Sequence, residues 1–511
     1  MYIRKNKNRS GTVIIQVISK ESGKYRVVKT LGSADNPEDI ALLEKAARNF
    51  VTEQEHNGQI SLFVEKEEIA IQEFVRHIEN KNIRIVGPDL ILGAIFSAIG
   101  FDAVPGDLFR HLVITRLVNP GSKLRTVDYL DRCCGFKISV DKVYRFLDEL
   151  AGTRKEQVGA IAFAHTKRVL HGNVGILFYD MTTLYFESEN EDDLRKIGYS
   201  KDGKFQNPQI MLGLLVGEHG YPVGYDIFRG NTFEGTTIIP VVERFCSKYG
   251  IKKPIVVGDA GLLSKDTIEK LEQQGYAYIL GARIKNESET IKQDILQQVP
   301  ELQLGKIVRL PKTQTNWLIL SYTEARAKKD AVNRDRGICK LRAKIASGSL
   351  TKKHIVNRGY NKFLTIKNTI EVDIDEAKIT EDKRWDGLKG YVTNSSLAPE
   401  TIIGHYTQLW EIEKAFRISK TDLRIRPIFH RLERRIEAHI CIAFAAYTIY
   451  KELERLLNTN EMDMSAQKAI ELTQTMYGLD YQLPNSAGKE CVPFKMDANQ
   501  TKLYTLIRNI T

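Results

Sequence analysis

Three acidic residues are spaced so that a folded chain can bring their oxygens to one point. They are Asp180 in Ile-Leu-Phe-Tyr-Asp-Met-Thr-Thr, Asp259 in Ile-Val-Val-Gly-Asp-Ala-Gly, and Glu413 in Tyr-Thr-Gln-Leu-Trp-Glu-Ile-Glu-Lys. The first two each follow an apolar run and the third lies on a helix-patterned stretch, so a parallel α/β core can gather them. Such a point binds divalent metal. Zinc is not the expected ion, because the six cysteines contain no C-x-x-C pair and only Cys133 and Cys134 are adjacent. The same cysteine pattern argues against a disulfide framework.

Around Glu413 the spacing carries further chemistry. Tyr406, Glu413 and Lys420 are seven residues apart, which at about 3.6 residues per turn predicts one shared helix face, with Arg417 one turn beyond Glu413. A carboxylate beside a phenol and cations suits a metal-bound phosphate. The plainer alternative is a solvated helix with a Glu413–Arg417 pair, worth roughly a few tenths of a kcal/mol. A second basic feature lies between Ser321 and Thr365, where twelve Lys or Arg stand against Glu324, Asp330 and Asp335. Such a run is either a solvated surface or one that tracks phosphates. A third is the stretch 139–150, with a Ser start, an apolar face and exposed-looking Lys142 and Arg145. It reads as a packing helix or as a recognition helix that meets DNA.

Several other features are weaker. Gly198-Tyr199-Ser200-Lys201-Asp202-Gly203-Lys204 fails the phosphate-loop pattern because Phe205 follows Lys204, and it is expected to be a flexible loop near the site. His405, His430 and His439 lack ligand spacing and are expected in packing or backbone contacts with DNA. Trp410 is expected on the packed side of its helix, with stacking on a flipped base as the alternative.

The elements that must position the acids follow from patterning. Stretches 13–18 and 25–31 form a β-hairpin turned at Glu21-Ser22-Gly23, and Asn36-Pro37-Glu38-Asp39 starts a helix. From Gly87 to about Leu170 apolar residues recur at helical spacing, broken at Val104-Pro105-Gly106, Asn119-Pro120-Gly121 and Cys134-Gly135. Strands are then predicted at 174–186, 208–217 and 221–229, a helix at 236–249, a strand at 254–258, a helix at 264–274 and a strand at 276–281. Three antiparallel strands followed by α-β-α-β is the order of an RNase H-like core, whose first and fourth strands lie side by side. After Gly281 this pattern is lost for over a hundred residues, which predicts an inserted subdomain with β segments at 306–310, 317–322 and 363–372. Residues 435–457 are apolar over most of their circumference, as in a core or dimer contact.

Composition limits the setting. At 511 residues the chain exceeds one hydrophobic core, and 42% hydrophobic with 27% charged residues is ordinary for a globular protein. A formal charge of +11 and a pI near 9.1 suit a polyanionic partner. The longest apolar stretches, 90–101 and 440–450, fall short of the about 20 residues of a membrane span. The basic start does not lead into a signal-peptide core, so a cytoplasmic protein is expected, with no membrane partner.

The order Asp, Asp, insertion, Glu-helix resembles the DDE transposases of bacterial insertion sequences. The closer resemblance is to the group whose glutamate helix carries a Tyr-x2-Arg-x3-Glu-x6-Lys signature and whose core carries a β-rich insertion. Tyr406, Glu413 and Lys420 fit that spacing and Asp180-Met181-Thr182 fits its Asp-x-Thr. The family arginine is Leu409 here, so its phosphate contact passes to Arg417 or Lys414. The resemblance spans 174–439, including Pro427-Ile428-Phe429-His430 and His439, and Arg116-Leu117-Val118-Asn119-Pro120-Gly121-Ser122-Lys123 looks like the end-binding region of such elements.

The resemblance implies Asp180, Asp259 and Glu413 as ligands of two Mg²⁺ ions about 3.5 to 4 Å apart, with Mn²⁺ as a substitute. It implies cut-and-paste transposition: cleavage at terminal inverted repeats, a hairpin step, and strand transfer into target DNA by a homodimer holding both ends. DNA contacts would fall to Tyr406, Arg417, Lys420, Lys142 and Arg145. The expected organisation is a β-hairpin and helix region (1–85), a helical end-binding region (86–172), the first part of the core (173–283), a β-rich basic insertion (284–385), the second part of the core (386–435) and a helical, dimerising C-terminal region (436–511). The alternatives are a metal-dependent nuclease without strand transfer and a transposase-derived DNA-binding protein without catalysis.

Overall fold

The computed structural model describes residues 1–8, 11–21, 23–55, 75, 78–262, 264–350, 356, 359–367, 371–482 and 490–509. The chain divides into two compact units, Met1–Ile83 with Leu479–Val492, and Arg84–Gly478 with Pro493–Thr511. In the first, the expected hairpin is joined by an additional strand. β1 (Tyr2–Lys7), β2 (Val13–Glu21) and β3 (Lys24–Ala34) form an antiparallel sheet in that order. Ser22 of the expected turn lies outside the described residues. The helix Pro37–Glu55 starts where the cap is written, with Asn36 Oδ1 accepting from the Asp39 amide at 2.8 Å. Its Ala47 packs with Ile15 and Val17 in a small core.

β4 (Ile83–Ile85) is followed by the expected helices: Ala94–Ile99, Asp107–Val118, Lys123–Cys134, Val140–Glu149 and Lys155–Val169. Ser122 and Ser139 cap the third and fourth, and Gly135, at φ 66°, ends the third in the left-handed region. These helices are not self-sufficient. Their apolar faces share one hydrophobic cluster with the helix Glu433–Thr459, which is buried nearly all round through Ile436, Ile440, Phe444, Ile449 and Leu453.

The central sheet has eight strands. β6 (Gln209–Val216) runs antiparallel to both β5 (Ile176–Tyr185) and β7 (Pro222–Arg229), and residues 218–220 turn the β6–β7 hairpin. The helix Ile238–Tyr249 then crosses to β8 (Ile255–Gly258), and the helix Lys265–Gln273 to β9 (Tyr278–Gly281). Helical crossovers return each strand parallel to the last, so β8 pairs parallel with both β5 and β9. The remaining strands are β10 (Val308–Pro311), β11 (Trp317–Tyr322), the two-stranded pair β12 (Leu364–Lys367) and β13 (Glu371–Ile374), and β14 (Leu388–Thr393). The sheet order is β10-β11-β14-β9-β8-β5-β6-β7. This is the expected RNase H-like arrangement, with β5 and the fourth core strand, β8, side by side.

The insertion is more closely tied to the core than its sequence suggests. β10 and β11 extend the central sheet through β14, with Leu318 opposite Val392 and Leu320 opposite Gly390. The basic run folds as the 23-residue helix Glu324–Ala346. Its Ala, Lys, Arg and Leu content favours helix, a preference hidden when the run is read for charge alone. Arg334 anchors it, 5% exposed, with two hydrogen bonds to Asp386 at 2.5 and 2.6 Å. Residues 351–355 and 357–358 of the run lie outside the described residues. Among the described residues, no helix is long and apolar enough to cross a membrane.

Candidate functional site

β5 is buried along nearly its whole length, and Asp180 is one of its two half-buried positions. The parallel register with β8 aligns Phe178 with Val257. Asp180 and Asp259 stand two residues beyond that aligned pair on adjacent strand paths, which sets the two carboxylates side by side. Each is oriented by its own backbone. Asp180 Oδ1 accepts from the Met181 amide at 2.7 Å, and Asp259 Oδ1 accepts from Gly261 at 2.8 Å and Leu262 at 3.3 Å. A Cβ at Gly261 would lie 2.9 Å from Asp259 Oδ1, so a side chain there would push that carboxylate out of its present position. Burial pushes the Asp180 carboxyl up to about 6, the Lys201 ammonium opposes that rise, and the neighbouring Asp259 charge adds to it.

Glu413 approaches this pair indirectly. The chain from 399 to 422 forms three helical segments, Pro399–Thr407, Trp410–Arg417 and a π-helical turn Ile418–Asp422. Tyr406 closes the first and lies against the end of β9, where a side chain on Gly281 would collide with its hydroxyl. Burial first, then the charges of Asp259 and Glu413 among its neighbours, pushes the Tyr406 phenol up to about 12. The phenol is thus within electrostatic reach of both Asp259 and Glu413. Glu413 itself is exposed. Among the described residues no three Asp, Glu, His or Cys side chains lie close enough together to hold a metal ion. The structure therefore brings Asp180 and Asp259 together and leaves Glu413 outside the pair, within electrostatic reach of Tyr406 and Lys389.

Four residues that sequence reasoning missed complete the surroundings. Lys201 Nζ lies 3.7 Å from Asp180 and 2.8 Å from Glu234, and it donates to the Met181 carbonyl at 2.6 Å. Asp202, the next residue, accepts from Lys420 at 3.3 Å on both oxygens and pairs with Arg426 at 2.5 Å. The loop expected only to lie near the site thus supplies an ammonium to one acid and a carboxylate to two cations. Lys389, on β14, sits 4.6 Å above the Tyr406 ring. Burial lowers its pKa, Arg326 lowers it further, and Glu413 pulls it back up. Arg326 belongs to the helix Glu324–Ala346, so the basic insertion reaches the site. A Gly-rich loop and isolated basic residues carry no periodicity, and only their nearness to the carboxylates marks them.

The other expected contacts divide. Leu409 is 7% exposed, so a long cation at that position would be buried in the core. Lys414 is tied to Glu454, whereas Arg417 is exposed. Lys142 and Arg145 lie on the exposed side of the helix Val140–Glu149, whose Val143, Phe146 and Leu147 are buried, and both line a cleft of about 600 Å³. Trp410 departs from expectation. It is 50% exposed because Ile412, Ala415 and Phe416 occupy the buried side of its helix, and Lys414 lies 5.3 Å from its ring.

The pair fits a hard divalent cation. Two carboxylates side by side in a partly buried site repel one another, and that shared negative charge with only oxygen donors suits Mg²⁺ or Mn²⁺ better than a softer ion. Residues 175–449 match the family model for the transposase DDE domain. Among solved structures the chain is similar to a cryo-EM piggyBac transposase synaptic complex with hairpin DNA, at 11% identity and a TM-score of 0.37, covering 76% of each chain. A Mos1 transposase paired-end complex with the left transposon end is similar at 12% identity and a TM-score of 0.16, over 34% of this chain and 58% of that one. No curated protein sequence matches.

Proposed function

The chain belongs to the transposase DDE domain family, and from that premise we propose that it mobilises a bacterial insertion sequence by cut-and-paste, cleaving DNA at terminal inverted repeats and joining the freed ends to target DNA. The observation that carries this reading is the parallel β5–β8 pairing, which sets Asp180 and Asp259 side by side. Mg²⁺, or Mn²⁺ in its place, would when bound supply the charge that activates an attacking oxygen and stabilises a leaving 3′ oxygen. Asp180 and Asp259 would hold the metal, and Glu413, which stands outside that pair here, would join them from the helix Trp410–Arg417.

The remaining residues grip and orient the DNA. Tyr406, whose phenol stays protonated at neutral pH, donates a hydrogen bond to a non-bridging phosphate oxygen. Lys389 and Arg326 set positive charge on the same side. Arg417 takes the contact that Leu409 does not make, and Lys420 secures the strand once Asp202 yields it. Lys142 and Arg145, in the helical region 86–172, contact the terminal DNA outside the metal site. The joining step needs two ends held together, which a homodimer built through 436–511 provides.

Incubation of pre-nicked terminal duplexes, Mg²⁺ and a supercoiled target plasmid tests the proposal. Joined or hairpin products from the wild-type protein are expected. Persistent nicking with neither product would overturn strand transfer and leave a nuclease, and DNA binding without any cleavage would leave a binding protein.

A further inference from the structure

Within the first unit, the three-stranded sheet has one covered face and one open face. The helix Pro37–Glu55 lies on the covered face, where Ala47 packs on Ile15 and Val17, Glu44 pairs with Lys5, and Lys29 stands 4.4 Å over the Phe50 ring. Successive side chains of a strand point to opposite faces, so the residues between these belong to the open one. There the register sets Arg4, Gln16 and Thr30 in one row across all three strands, with Asn6 beyond it on β1 and the opposed pair Lys20 and Tyr25 at the β2–β3 end. The row is joined by hydrogen bonds: Arg4 Nη2 donates to Gln16 Oε1 at 2.9 Å, and Gln16 Nε2 donates to Thr30 Oγ1 at 3.1 Å. β3 is exposed at every residue from Lys24 to Thr30, with Tyr25 at 63% and Lys20 5.5 Å over its ring.

The charge on this sheet has one sign. Residues 1–34 carry eight Lys or Arg against Glu21 alone, a density that exceeds that of the basic insertion. Lysines on outer strands often serve only to keep a sheet edge from pairing with another chain. That role does not call for a guanidinium, an amide and a hydroxyl in line across the middle of the face. A face built to pack on protein would instead place apolar side chains at its centre and charge at its rim. The bonds within the row also leave capacity to spare, because a guanidinium has five N–H donors and an amide has two donors and two lone pairs.

We propose that the open face of β1–β3 enters the major groove of duplex DNA, where Arg4, Gln16 and Asn6 meet base edges while Lys20, Lys24 and Arg26 meet the flanking phosphates. The choice of DNA rests on the DNA-acting reading above, and it adds a second DNA contact, on a separate unit of the chain from Lys142 and Arg145. Charge complementarity selects a polyanion and sets a second copy of the same face against it. Width selects the duplex. Three strands at about 4.8 Å spacing span about 10 Å, within the roughly 12 Å of the B-form major groove, whereas the A-form RNA groove is too narrow for side chains to read. Arginine and the side-chain amides are the groups that pair with guanine and adenine edges in that groove.

The test uses the full chain in EDTA, so that cleavage does not enter. Fluorescence anisotropy over a salt series measures binding to a labelled DNA duplex of mixed sequence and to an RNA duplex of the same sequence, and dimethyl sulfate reports whether guanine N7, in the major groove, is protected. Wild type is expected to prefer the DNA and to protect N7. Lys20→Gln, Lys24→Gln and Arg26→Gln combined are expected to flatten the salt slope by up to about 2.7, at about 0.9 per phosphate. Gln16→Glu, nearly isosteric, sets a negative charge at the centre of the face and is expected to weaken DNA binding roughly tenfold or more and to abolish N7 protection. Thermal unfolding checks the fold of each variant, and Asn6→Asp, at an exposed position, repeats the charge test if Gln16→Glu lowers Tm. Wild-type binding by every variant overturns the sheet as a DNA face and leaves the DNA-acting reading standing. A flattened slope with N7 unprotected in wild type, or equal binding of the RNA duplex, overturns entry into the groove. Sheet-dependent DNA binding by a protein that gives no cleaved or joined product with Mg²⁺ overturns transposition and supports the groove face, and a wild-type protein that ignores duplex DNA overturns both.

Discussion

Asp202 and Lys420 face one another with both carboxylate oxygens 3.3 Å from the ammonium, in a setting where the two side chains are only 14% and 12% exposed. Lys420 is the residue proposed above to grip phosphate. In this structure it is held by an internal acid, which also binds Arg426 at 2.5 Å. On the proposed function, DNA would have to displace a carboxylate before either cation could serve it.

Asp202→Asn removes that competitor. Duplex affinity at low salt is expected to rise, and the salt slope to steepen by up to about 1.8 if both cations then meet phosphates. Fluorescence anisotropy across a salt series in EDTA measures this, and a slope equal to wild type would mean that neither cation reaches DNA. Lys420→Ala is expected to slow the steps after first-strand nicking more than nicking itself.

Asp180→Asn and Asp259→Asn remove charge while preserving volume. Cleavage should fall by on the order of a hundredfold or more, beyond the loss that follows removal of a ligand's supporting contact, while duplex binding persists. Glu413→Gln is the sharper case, because Glu413 lies outside the Asp180–Asp259 pair. Loss of cleavage with retained binding would place Glu413 in the working site; normal cleavage would remove it.

The raised pKa of Asp180 has a consequence for the metal-free fold. A carboxyl moved from 3.8 to about 6 favours folding while protonated, so its contribution is full below pH 4 and is lost as pH rises through 6. The loss is at most about 3 kcal/mol, at roughly 1.4 kcal/mol per pKa unit. Urea unfolding in EDTA at pH 4 and pH 7.5 should show wild type losing more stability over that interval than Asp180→Asn. Equal losses would show that the acid is not perturbed.

Gly281→Ala drives a methyl group into the Tyr406 hydroxyl. Overpacking of this kind costs about 1 to 3 kcal/mol, and displacement of the phenol should depress cleavage as well. Tyr406→Phe removes the colliding atom, so the double variant should recover part of the stability lost by Gly281→Ala. Strict additivity in a double-mutant cycle would contradict the contact.

Asp180 and Asp259 were legible because each follows an apolar run. A helical crossover between parallel strands leaves little freedom in where the second strand lies relative to the first. Lys201 and Asp202 were not, since a loop with no hydrophobic period gives no sign of the direction in which it folds. Trp410 illustrates a narrower ambiguity: Ile412, Ala415 and Phe416 decide which side of the helix is buried, and aromatic character alone does not. The place of β10 and β11 depends on a free edge of β14 contributed from some seventy residues away, a pairing no local pattern encodes.

The hydrophobic cluster shared by the helices between 94 and 169 and the helix Glu433–Thr459 has a consequence for biosynthesis. About 260 residues separate Val169 from Glu433. At roughly 5 to 20 residues per second, the early helices leave the ribosome some 15 to 50 s before the segment that covers them. Throughout that interval Phe96, Leu112 and Val143 remain open to water or to other nascent chains. Folded yield should therefore rise on cooling only if the weaker apolar attraction between incomplete chains outweighs the longer exposure that slower synthesis brings, and a fragment ending near Leu170 should collect in the insoluble fraction.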